Sequence, residues 1–445
     1  MTVLLISILV LLELGFMIFE LTRSSAKKEW TTKRIILNAA ELIVFFAMVL
    51  LPGIDTGFRF AGLIFMLVLR LGVSGIYWLA FRKSTKTKKK AAIVFGGLFG
   101  ALLIASSALP AFLFTDYAGR PLTGPYKVLE ADAVLIDTSR IEAFEDDGSY
   151  REVPVYFFYP EGVSEKMPLV IFSHGAFGYY QSNASMFMEL ASNGYVVASI
   201  EHPYHSIFTH DSTGKTIIAD SGFLNDSMTI GSSDASEAEV FEVTKKWMEL
   251  RTADMNFAID SFKAKNTDSW YIAKDQKDGV LQAVSLIDTD RIGLIGHSMG
   301  GATAVTCGRR DDISAVVDLD GTMLGENLGI NGNDIIINED PYKTPLLNLQ
   351  SQSHHEQAVE AEKIGYAYSN NIVIKNADTA YSTYFANSGH MDFTDLPLFS
   401  PVLAKNLGTG DVDNTVMIDT LNGLVLRFFD CYLKGDGNFS VNEHY

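Results

Sequence analysis

Hydrophobic residues divide the chain into two regions. Four apolar runs fill the first region, at about Thr2–Leu21, Arg34–Leu51, Phe58–Phe81 and Ala91–Phe114. Each is close to the roughly 20 residues that a helix needs to cross a ~30 Å hydrocarbon layer. Residues 1–114 are therefore predicted to form an all-α domain of four transmembrane helices. A cleaved signal peptide is the alternative for the first run, but no Lys or Arg precedes it and further spans follow.

The loops between these runs predict the orientation of the helices. The basic residues of the first loop are Arg23, Lys27, Lys28, Lys33 and Arg34, and those of the third are Arg82, Lys83, Lys86, Lys88, Lys89 and Lys90. The second loop, Pro52–Gly57, contains an acid and no basic residue. Since basic loops stay in the cytoplasm, we expect a multi-pass protein of the cell membrane. Everything after residue 115 would then be extracytoplasmic.

Three ionisable residues, Glu13, Glu41 and Arg70, fall near the middle of the predicted spans. Such residues are costly in lipid and usually pair or line a site. One hypothesis is that Arg70 pairs with Glu13 or Glu41 and fixes the packing of the bundle. The alternative is that the glutamates are protonated or lie closer to the membrane surface.

The second region has the pattern of an α/β protein. Residues 115–129 are predicted to be a linker, and 130–445 a catalytic domain with a mostly parallel sheet and helices on both faces. The predicted strands are Val153–Tyr159, Leu169–Ser173, Val196–Ile200, Ile292–Ile295, Ala315–Leu319, Leu346–Leu349 and Tyr381–Ala386. Helical periodicity covers Asp234–Phe262. The segments Pro203–Ser233 and Asn266–Asp288 lack periodicity and are predicted to be loops.

Charge and cysteine content narrow the classes of function. Residues 1–114 contain 13 basic and 5 acidic residues, which leaves 22 basic and 48 acidic residues for the remainder. Nucleic acid is not expected as a partner, because phosphate binding needs clustered Lys and Arg. Cys307 and Cys431 match no metal-ligand spacing, and both are predicted to be buried and unpaired.

The strongest chemical signal is the segment Gly296-His297-Ser298-Met299-Gly300. It follows an apolar strand and precedes a run of helix-forming residues. A sharp strand-to-helix turn holds the serine in a strained conformation, and the turn requires small neighbours two positions away on each side. The serine hydroxyl is then exposed above the sheet. Ser298 is therefore predicted to be the nucleophile of a serine hydrolase.

A serine nucleophile needs a base and an acid that orients the base. Asp320 ends a predicted strand, where catalytic acids of this fold lie, and Asp318 is the competitor two residues earlier. His390 follows the last predicted strand beside a glycine, and the order Ser, Asp, His along the chain matches the fold. Asp320 and His390 are therefore predicted to complete the triad.

A tetrahedral intermediate also needs two backbone N–H donors. Met299, directly after the nucleophile, is predicted to supply one. The loop that follows Ser173 fits the other, with Ala176 as the first candidate and Phe177 as the second. Supporting roles near the site are predicted for His174, Gly175, Phe177, His202, Gly296, His297 and Gly300. His354 and His355 are predicted to be solvent-exposed, with no metal role.

Several of these segments, taken in order, carry a family resemblance. They are Ser173-His-Gly, Glu201-His202, the helix containing Arg251 and Asp254, Gly-His-Ser-Met-Gly-Gly, Leu319-Asp320 and Gly389-His390. Residues 130–435 thus resemble plasma-type platelet-activating factor acetylhydrolases and the wider dienelactone-hydrolase-like esterases. The resemblance implies an α/β-hydrolase fold and calcium-independent hydrolysis of short or oxidised acyl esters. The sequence departs from the acetylhydrolases at Met299, where they have Phe, and at Gly321, where they have an aromatic residue.

The sequence therefore predicts a membrane-anchored carboxylic-ester hydrolase, of esterase or lipase type, that acts through an acyl-enzyme on Ser298. The expected partners are a lipid or lipophilic ester and the bilayer, and no cofactor or metal is expected. Two alternatives remain at this stage. One is an acyltransferase that uses the same triad, and the other is a non-catalytic membrane sensor or scaffold with a hydrolase fold.

Overall fold

The computed structural model of the protein describes residues 1–117, 119–231, 235–332 and 334–445. The chain forms two units. The first comprises Met1–Ala118 and the short segment Leu398–Leu403, and the second comprises Gly119–Pro397 and Ala404–Tyr445. The predicted linker, 115–129, overlaps the start of the first strand at Val128.

The first unit is helical. Its helices are α1 (Thr2–Leu21), α2 (Lys27–Met48), α3 (Phe58–Phe81), α4 (Lys90–Ser107) and the short α5 (Leu109–Leu113). Among the described residues, α1, α3 and α4 are long and apolar enough to cross a membrane. Four spans were predicted, and that count is not confirmed, since α2 carries Lys33, Arg34 and Glu41.

The exposure of side chains in the first unit is the reverse of that in a water-soluble bundle. Large apolar side chains stay exposed on all four long helices, for example Leu11, Ile43, Phe65 and Phe95. The ionisable side chains of Glu13, Glu41 and Arg70 are buried instead. Burying charge while exposing large apolar side chains would be unfavourable in water. This distribution is the one expected for helices surrounded by lipid.

The hypothesis that Arg70 pairs with a glutamate inside the bundle is confirmed. Arg70 Nη2 lies 2.8 Å from Glu13 Oε2, and Arg70 Nη1 lies 3.1 Å from Glu41 Oε2. Arg34 also joins this cluster, with a two-pronged contact of 2.6 and 3.0 Å to Glu13. The sequence did not reveal Arg34, because it lies at the edge of a predicted span beside a basic loop.

The second unit is built on a nine-stranded sheet. Its strands are β1 (Val128–Ile141), β2 (Tyr150–Pro160), β3 (Met167–Ser173), β4 (Val196–Ile200), β5 (Trp270–Tyr271), β6 (Ile287–His297), β7 (Ala315–Leu319), β8 (Leu346–Ser351) and β9 (Ala380–Phe385). Their order is β9-β8-β7-β6-β3-β4-β2-β1-β5. The six strands from β9 to β4 are parallel, whereas β2, β1 and β5 add antiparallel pairs at one edge. The predicted α/β-hydrolase architecture is confirmed.

The helices of the second unit are Ala184–Ser192, Ser221–Ile230, Glu237–Ala264, Lys277–Leu286, Met299–Cys307, Gln352–Ile364, Ser369–Lys375 and Asn414–Phe429, with shorter helical turns at Leu324–Glu326, His390–Phe393 and Asp430–Lys434. The short helices Leu396–Phe399 and Pro401–Asn406 include residues of the segment assigned to the first unit. Among the described residues, two hairpins are separate from the sheet, at Phe208–His210 with Thr216–Ile218 and at Asn327–Asn331 with Asp334–Ile337.

The two segments predicted as loops are partly regular. Pro203–Ser233 contains one of the hairpins and a helix, and Asn266–Asp288 contains β5 and a helix. Those predictions were wrong because the elements are too short to show a clear period. The ends predicted at Ser233 and Asp234 lie outside the described residues. Of the cysteines, Cys307 is free and buried as predicted, whereas Cys431 is free but only half-buried.

Candidate active site

Ser298 lies in the sharp turn between β6 and the helix Met299–Cys307. Its backbone has φ +56° and ψ −124°, a strained region for a residue with a side chain. The turn closes so tightly that a β-carbon at Gly296 would lie 2.1 Å from the Gly300 carbonyl carbon. A β-carbon at Gly300 would lie 1.9 Å from the Ser173 carbonyl oxygen. The two glycines therefore permit the bend that exposes Ser298.

Asp320 and His390 lie together at the same edge of the sheet. His390 Nδ1 is 2.7 Å from Asp320 Oδ2, and the aspartate is fully buried while the imidazole is about one-third exposed. This bond fixes the proton on Nδ1 and leaves Nε2 as the acceptor. The loop that carries His390 is itself held by Asp392, which accepts hydrogen bonds from the backbone N–H groups of Gly389 and Gly410.

The backbone of Ser298 is joined to the residue before Asp320, because its N–H donates to the Leu319 carbonyl at 2.9 Å. The ring of the neighbouring His297 lies 4.6 Å from that of His390, and its Nε2 donates to the His390 carbonyl at 3.1 Å. Burial lowers the pKa of His297 to about 3, so it is a neutral brace. Within the described part of the chain, no hydrogen bond joins the Ser298 hydroxyl to His390. Such bonds are often long before substrate binds.

His354 is a second imidazole on the same carboxylate, and the sequence did not predict it. Its Nδ1 lies 3.0 Å from Asp320 Oδ1, so the prediction that His354 is solvent-exposed was wrong. Its neighbour His355 is half-buried and stacks on Tyr384. Asp320 Oδ1 also accepts the Ser351 N–H at 2.5 Å. Both of these neighbours of Asp320 follow from one segment of the chain, because Ser351 ends β8 and His354 lies on the helix after it.

The surroundings keep Asp320 charged. Burial acts to raise the pKa of the Asp320 carboxyl, but hydrogen bonds from His354 and His390 outweigh it and hold that pKa well below its ordinary value. The donor atoms of these three side chains lie within 4.8 Å of one another, so they are a geometrically possible metal site. His390 Nδ1 already donates to the carboxylate, and His354 Nδ1 lies 3.0 Å from its other oxygen. A metal would therefore have to displace the hydrogen bond between His390 and Asp320.

Asp318, the competing acid, is in a different state. Its Oδ1 accepts the Gly321 N–H at 3.0 Å, and its other oxygen is buried without a hydrogen-bond partner among the described residues. Burial, with the negative charge of Asp320, raises the pKa of Asp318 well above its ordinary value. Both effects therefore favour the neutral form of Asp318. It is Asp320, not Asp318, that contacts His390.

The loop after β3 lies against the nucleophile. A β-carbon at Gly175 would lie 3.2 Å from the Ser298 β-carbon. Ala176, the next residue, is exposed, and in the described structure neither its N–H nor that of Met299 donates a hydrogen bond. The Phe177 N–H donates to the His205 carbonyl at 3.0 Å, which removes Phe177 as the alternative donor. Ala176 and Met299 thus keep free N–H groups beside Ser298.

A buried arginine holds this loop from behind. Arg251, fully buried on the helix Glu237–Ala264, donates to the carbonyl oxygens of His174 and Gly175. Burial lowers the pKa of Arg251 to about 9, so the guanidinium stays charged at neutral pH. Because both carbonyls are turned toward Arg251, the following peptide N–H is turned away from it. The loop containing His174 and Gly175 therefore depends on Arg251 for its position. In the sequence, Arg251 was noticed only as part of the family resemblance.

His202 belongs to a second, fully buried Ser–His–Asp chain. Its Nε2 lies 2.8 Å from Ser173 Oγ, and its Nδ1 lies 3.0 Å from Asp254 Oδ2. Burial lowers the pKa of His202 to about 4, which keeps it neutral. Asp254 also binds Arg151 at 2.7 and 3.1 Å and Arg140 at 2.9 Å. This chain fixes the end of β3, from which the loop to Ala176 starts.

Removing the charge of Asp254 is expected to destabilise the fold. Asp254→Asn keeps the side-chain shape but leaves Arg151 without its main counter-charge, which typically costs about 3–5 kcal/mol of unfolding free energy. Asp312→Asn is the matched control. Asp312 pairs with Arg310 and Lys263, all three are partly exposed to solvent, and each such pair should cost about 1 kcal/mol or less. Urea unfolding of the detergent-solubilised chain measures both values.

The stabilisation that Asp254 contributes depends on pH in a direction that follows from its pKa. Burial acts to raise the pKa of Asp254, but Arg151 and the hydrogen bond from His202 outweigh it and hold the pKa far below its ordinary value. The stabilisation is thus present above the unfolded-state pKa and is lost only as pH falls through the much lower folded-state pKa. The gap between native and Asp254→Asn proteins should stay constant from pH 7 to about pH 5. Equal costs for the two variants would contradict the assigned role of Asp254.

An apolar cluster lies beside the loop and the nucleophile. Met299 packs with Phe223 and Trp247, and Phe177 joins the edge of this cluster. The rings of Phe177 and Phe223 have centroids 4.7 Å apart. Phe223 comes from a segment that the sequence had predicted to be a loop. The apolar cluster therefore adjoins the turn that holds Ser298, since Met299 belongs to both.

Most of the second unit matches a known protein family. The family model described as platelet-activating factor acetylhydrolase, isoform II, matches residues 149–443. Among curated relatives, the platelet-activating factor acetylhydrolase of Cavia porcellus is 26% identical over 307 residues, which cover 65% of this chain and 62% of the relative. That of Canis lupus familiaris is 26% identical over 281 residues, covering 62% and 59%. The chain thus spans about three fifths of the length of these relatives.

Solved structures share the fold. A ferulic acid esterase from Streptomyces cinnamoneus superposes with a TM-score of 0.50 at 21% identity. The match covers 73% of this chain and 96% of the esterase. At this level of identity the likeness concerns the fold alone.

Proposed function

The chain belongs to the family of platelet-activating factor acetylhydrolase, isoform II, and from this membership we propose that it is a carboxylic-ester hydrolase held at a membrane. The observation that carries the proposal is the arrangement of Ser298 in a strained turn beside the Asp320–His390 pair. Nucleophile, base and orienting acid are the parts that ester cleavage through an acyl-enzyme requires.

The proposed reaction has two halves. His390 Nε2 takes the proton of the Ser298 hydroxyl as the oxygen attacks the ester carbonyl, and Asp320 stabilises the resulting imidazolium. The developing oxyanion accepts hydrogen bonds from the N–H groups of Ala176 and Met299. Collapse expels the alcohol, which takes the proton from His390. Water then cleaves the acyl-enzyme by the same route, with His390 again as the base.

The proposed substrate is a lipophilic ester, and short-acyl or oxidised phospholipids are the first candidates. Two features support it: the apolar cluster of Phe177, Phe223 and Met299 beside the nucleophile, and the membership in a family named for an acetylhydrolase. A catalytic domain tethered to a bilayer also meets lipid esters at a high effective concentration.

An ester panel tests this function. Purified protein is assayed on 4-nitrophenyl esters of increasing acyl length, an acetylated phospholipid and a lysophospholipid. We expect the highest kcat/KM for short acyl groups, with hydrolysis of the acetylated phospholipid. Folded protein that cleaves no member of the panel would contradict the esterase proposal. A preference for long acyl chains would contradict only the proposed acyl class.

The proposed arrangement of the chain is a transmembrane domain at 1–114, a linker at 115–129 and an extracytoplasmic catalytic domain at 130–445. The lipid-like exposure pattern of the first unit and its three long apolar helices support it. Single cysteines at Lys86 and Thr213, in a Cys431→Ala background, should react with an impermeant thiol reagent from opposite sides of intact cells. Labelling of Lys86→Cys from outside would overturn the orientation.

A further inference from the structure

The first unit contains a groove of about 420 Å³ between α2, α3 and α4. Its lining combines apolar side chains of α3 and α4 with the three cations Arg34, Arg70 and Lys88. On α4 it extends from Ala92 to Leu103, which is about 16 Å along a helix axis. This volume lies within the range of pockets that hold one small ligand, about 300–1,000 Å³.

One end of the groove differs in chemistry from its length. Along its length the lining includes apolar side chains of α3 and α4, and the two arginines there, Arg34 and Arg70, are paired with glutamates. At one end, just before α4 starts, the lining contains the cation of Lys88. An apolar channel with a charged end matches a ligand that has a hydrocarbon chain and a charged head.

The charges around the groove are unbalanced. Its lining contains Arg34, Arg70 and Lys88 but no carboxylate. Behind the lining, Glu13 and Glu41 pair with the two arginines, which leaves two carboxylates against three cations when all are ionised. Within the described residues Lys88 has no carboxylate partner, and its Nζ lies 3.8 Å from the centre of the Trp30 ring. An anionic ligand would balance the remaining charge.

The lining also contains a polar atom that the protein leaves unsatisfied. Trp30 Nε1 is a hydrogen-bond donor that is buried and has no partner among the described residues. A carboxylate oxygen could accept this N–H. Buried polar groups are normally paired, and each exception calls for an explanation such as a missing ligand.

We propose that this groove binds one long-chain fatty carboxylate, with its carboxylate at the end formed by Trp30 and Lys88 and its chain between α3 and α4. A groove of about 420 Å³ holds one hydrocarbon chain more readily than the two chains of a phospholipid. The site is separate from the esterase site and does not depend on the proposed reaction.

Quenching of Trp30 fluorescence tests this proposal on the full chain in phosphatidylcholine nanodiscs. Dibrominated stearic acid is titrated, and the Trp30 signal is taken as the difference between the native chain and Trp30→Phe. We expect saturable quenching with an apparent affinity at least tenfold higher than that of dibrominated stearyl alcohol, which has the same chain without the charge. Equal quenching by the acid and the alcohol would mean that bulk lipid fills the groove, and would overturn the proposal.

Two variants place the ligand. Gly96 lines the groove, and a side chain there would meet nothing within 4 Å, so Gly96→Leu should fill the space and abolish the saturable phase. Gly72→Leu is the matched control, since Gly72 is equally unobstructed on α3 but does not line the groove. It should leave the quenching unchanged. Saturable quenching that persists in folded Gly96→Leu would refute the proposed position.

A charge variant keeps the test decisive if Gly96→Leu does not fold. Lys88→Gln should weaken binding of the brominated acid at least fivefold and leave that of the alcohol unchanged. An unchanged affinity for the acid would overturn the proposal. A brominated phosphatidylglycerol that quenches Trp30 as tightly as the acid would instead identify a two-chain anionic lipid as the ligand, and would also overturn it.

Discussion

Ser298→Ala is expected to lower kcat for ester hydrolysis by about 10⁶-fold, the loss seen when a triad serine is removed from a serine hydrolase. The reason is that no other group occupies the turn between β6 and the following helix, so the variant has no atom with which to form an acyl-enzyme. Labelling by a fluorophosphonate probe should disappear with the activity. Hydrolysis rates and the mass of the labelled peptide measure the two effects.

The chain offers a matched control in Ser173→Ala. The Ser173 hydroxyl lies 2.8 Å from Nε2 of a histidine, His202, but Ser173 is completely buried. Losing its hydroxyl should cost about 1 kcal/mol of stability through one hydrogen bond. Fluorophosphonate labelling should remain, and kcat should stay within about tenfold of the native value. If labelling survives in Ser298→Ala but disappears in folded Ser173→Ala, Ser173 is the nucleophile and our assignment of Ser298 is wrong.

The proposed triad of Ser298, His390 and Asp320 differs in burial from the chain of Ser173, His202 and Asp254. At Ser298 the backbone φ is positive, and His390, the proposed base, is one-third exposed. At Ser173 the serine, His202 and Asp254 have no exposed surface, and two arginines neutralise the acid. The same three residue types can therefore serve a reaction in one place and hold a strand end in the other.

The parts of the site that the sequence predicted are set by local structure. The turn at Ser298 is specified by Gly296 and Gly300 together with a preceding apolar strand, all within a few residues. Asp320 and His390 each follow a strand whose pattern is readable, β7 and β9. Parallel strands bring their carboxyl ends to one edge of the sheet, so these three positions could be expected to meet.

The parts that the sequence missed depend on which elements become neighbours. His354 contacts Asp320 because β8 lies next to β7, and strand order cannot be read from periodicity. Arg251 reaches the loop after β3 from a helix about 75 residues away in sequence. The periodicity of the helix Glu237–Ala264 predicted that its apolar residues face the core, but it gave no reason to expect a buried arginine among them. Similarly, Arg34 joins Glu13 only once α1 and α2 are packed.

Asp320→Asn is expected to lower kcat by about 10⁴-fold, the effect of the same change in other Ser–His–Asp enzymes. The Asn amide cannot accept the His390 Nδ1–H on its nitrogen side, so the imidazole takes the tautomer that cannot deprotonate Ser298. The neutral Asn side chain also cannot stabilise the imidazolium that forms on His390 during attack. The loss should appear in kcat more than in KM, because the interaction strengthens in the transition state.

Asp318→Asn is the control that separates the two acids, which are only two residues apart on β7 and the turn after it. Burial and the charge of Asp320 raise the pKa of Asp318 well above the ordinary value, so the change to asparagine replaces a carboxyl group whose neutral form is already favoured. Asparagine retains an oxygen to accept the Gly321 N–H, so kcat should stay within about tenfold of the native value. If Asp318→Asn instead shows the 10⁴-fold loss while Asp320→Asn remains active, the acid of the triad has been assigned to the wrong residue. Thermal unfolding of both variants must first show that each is folded, because only then does the difference in kcat report on His390.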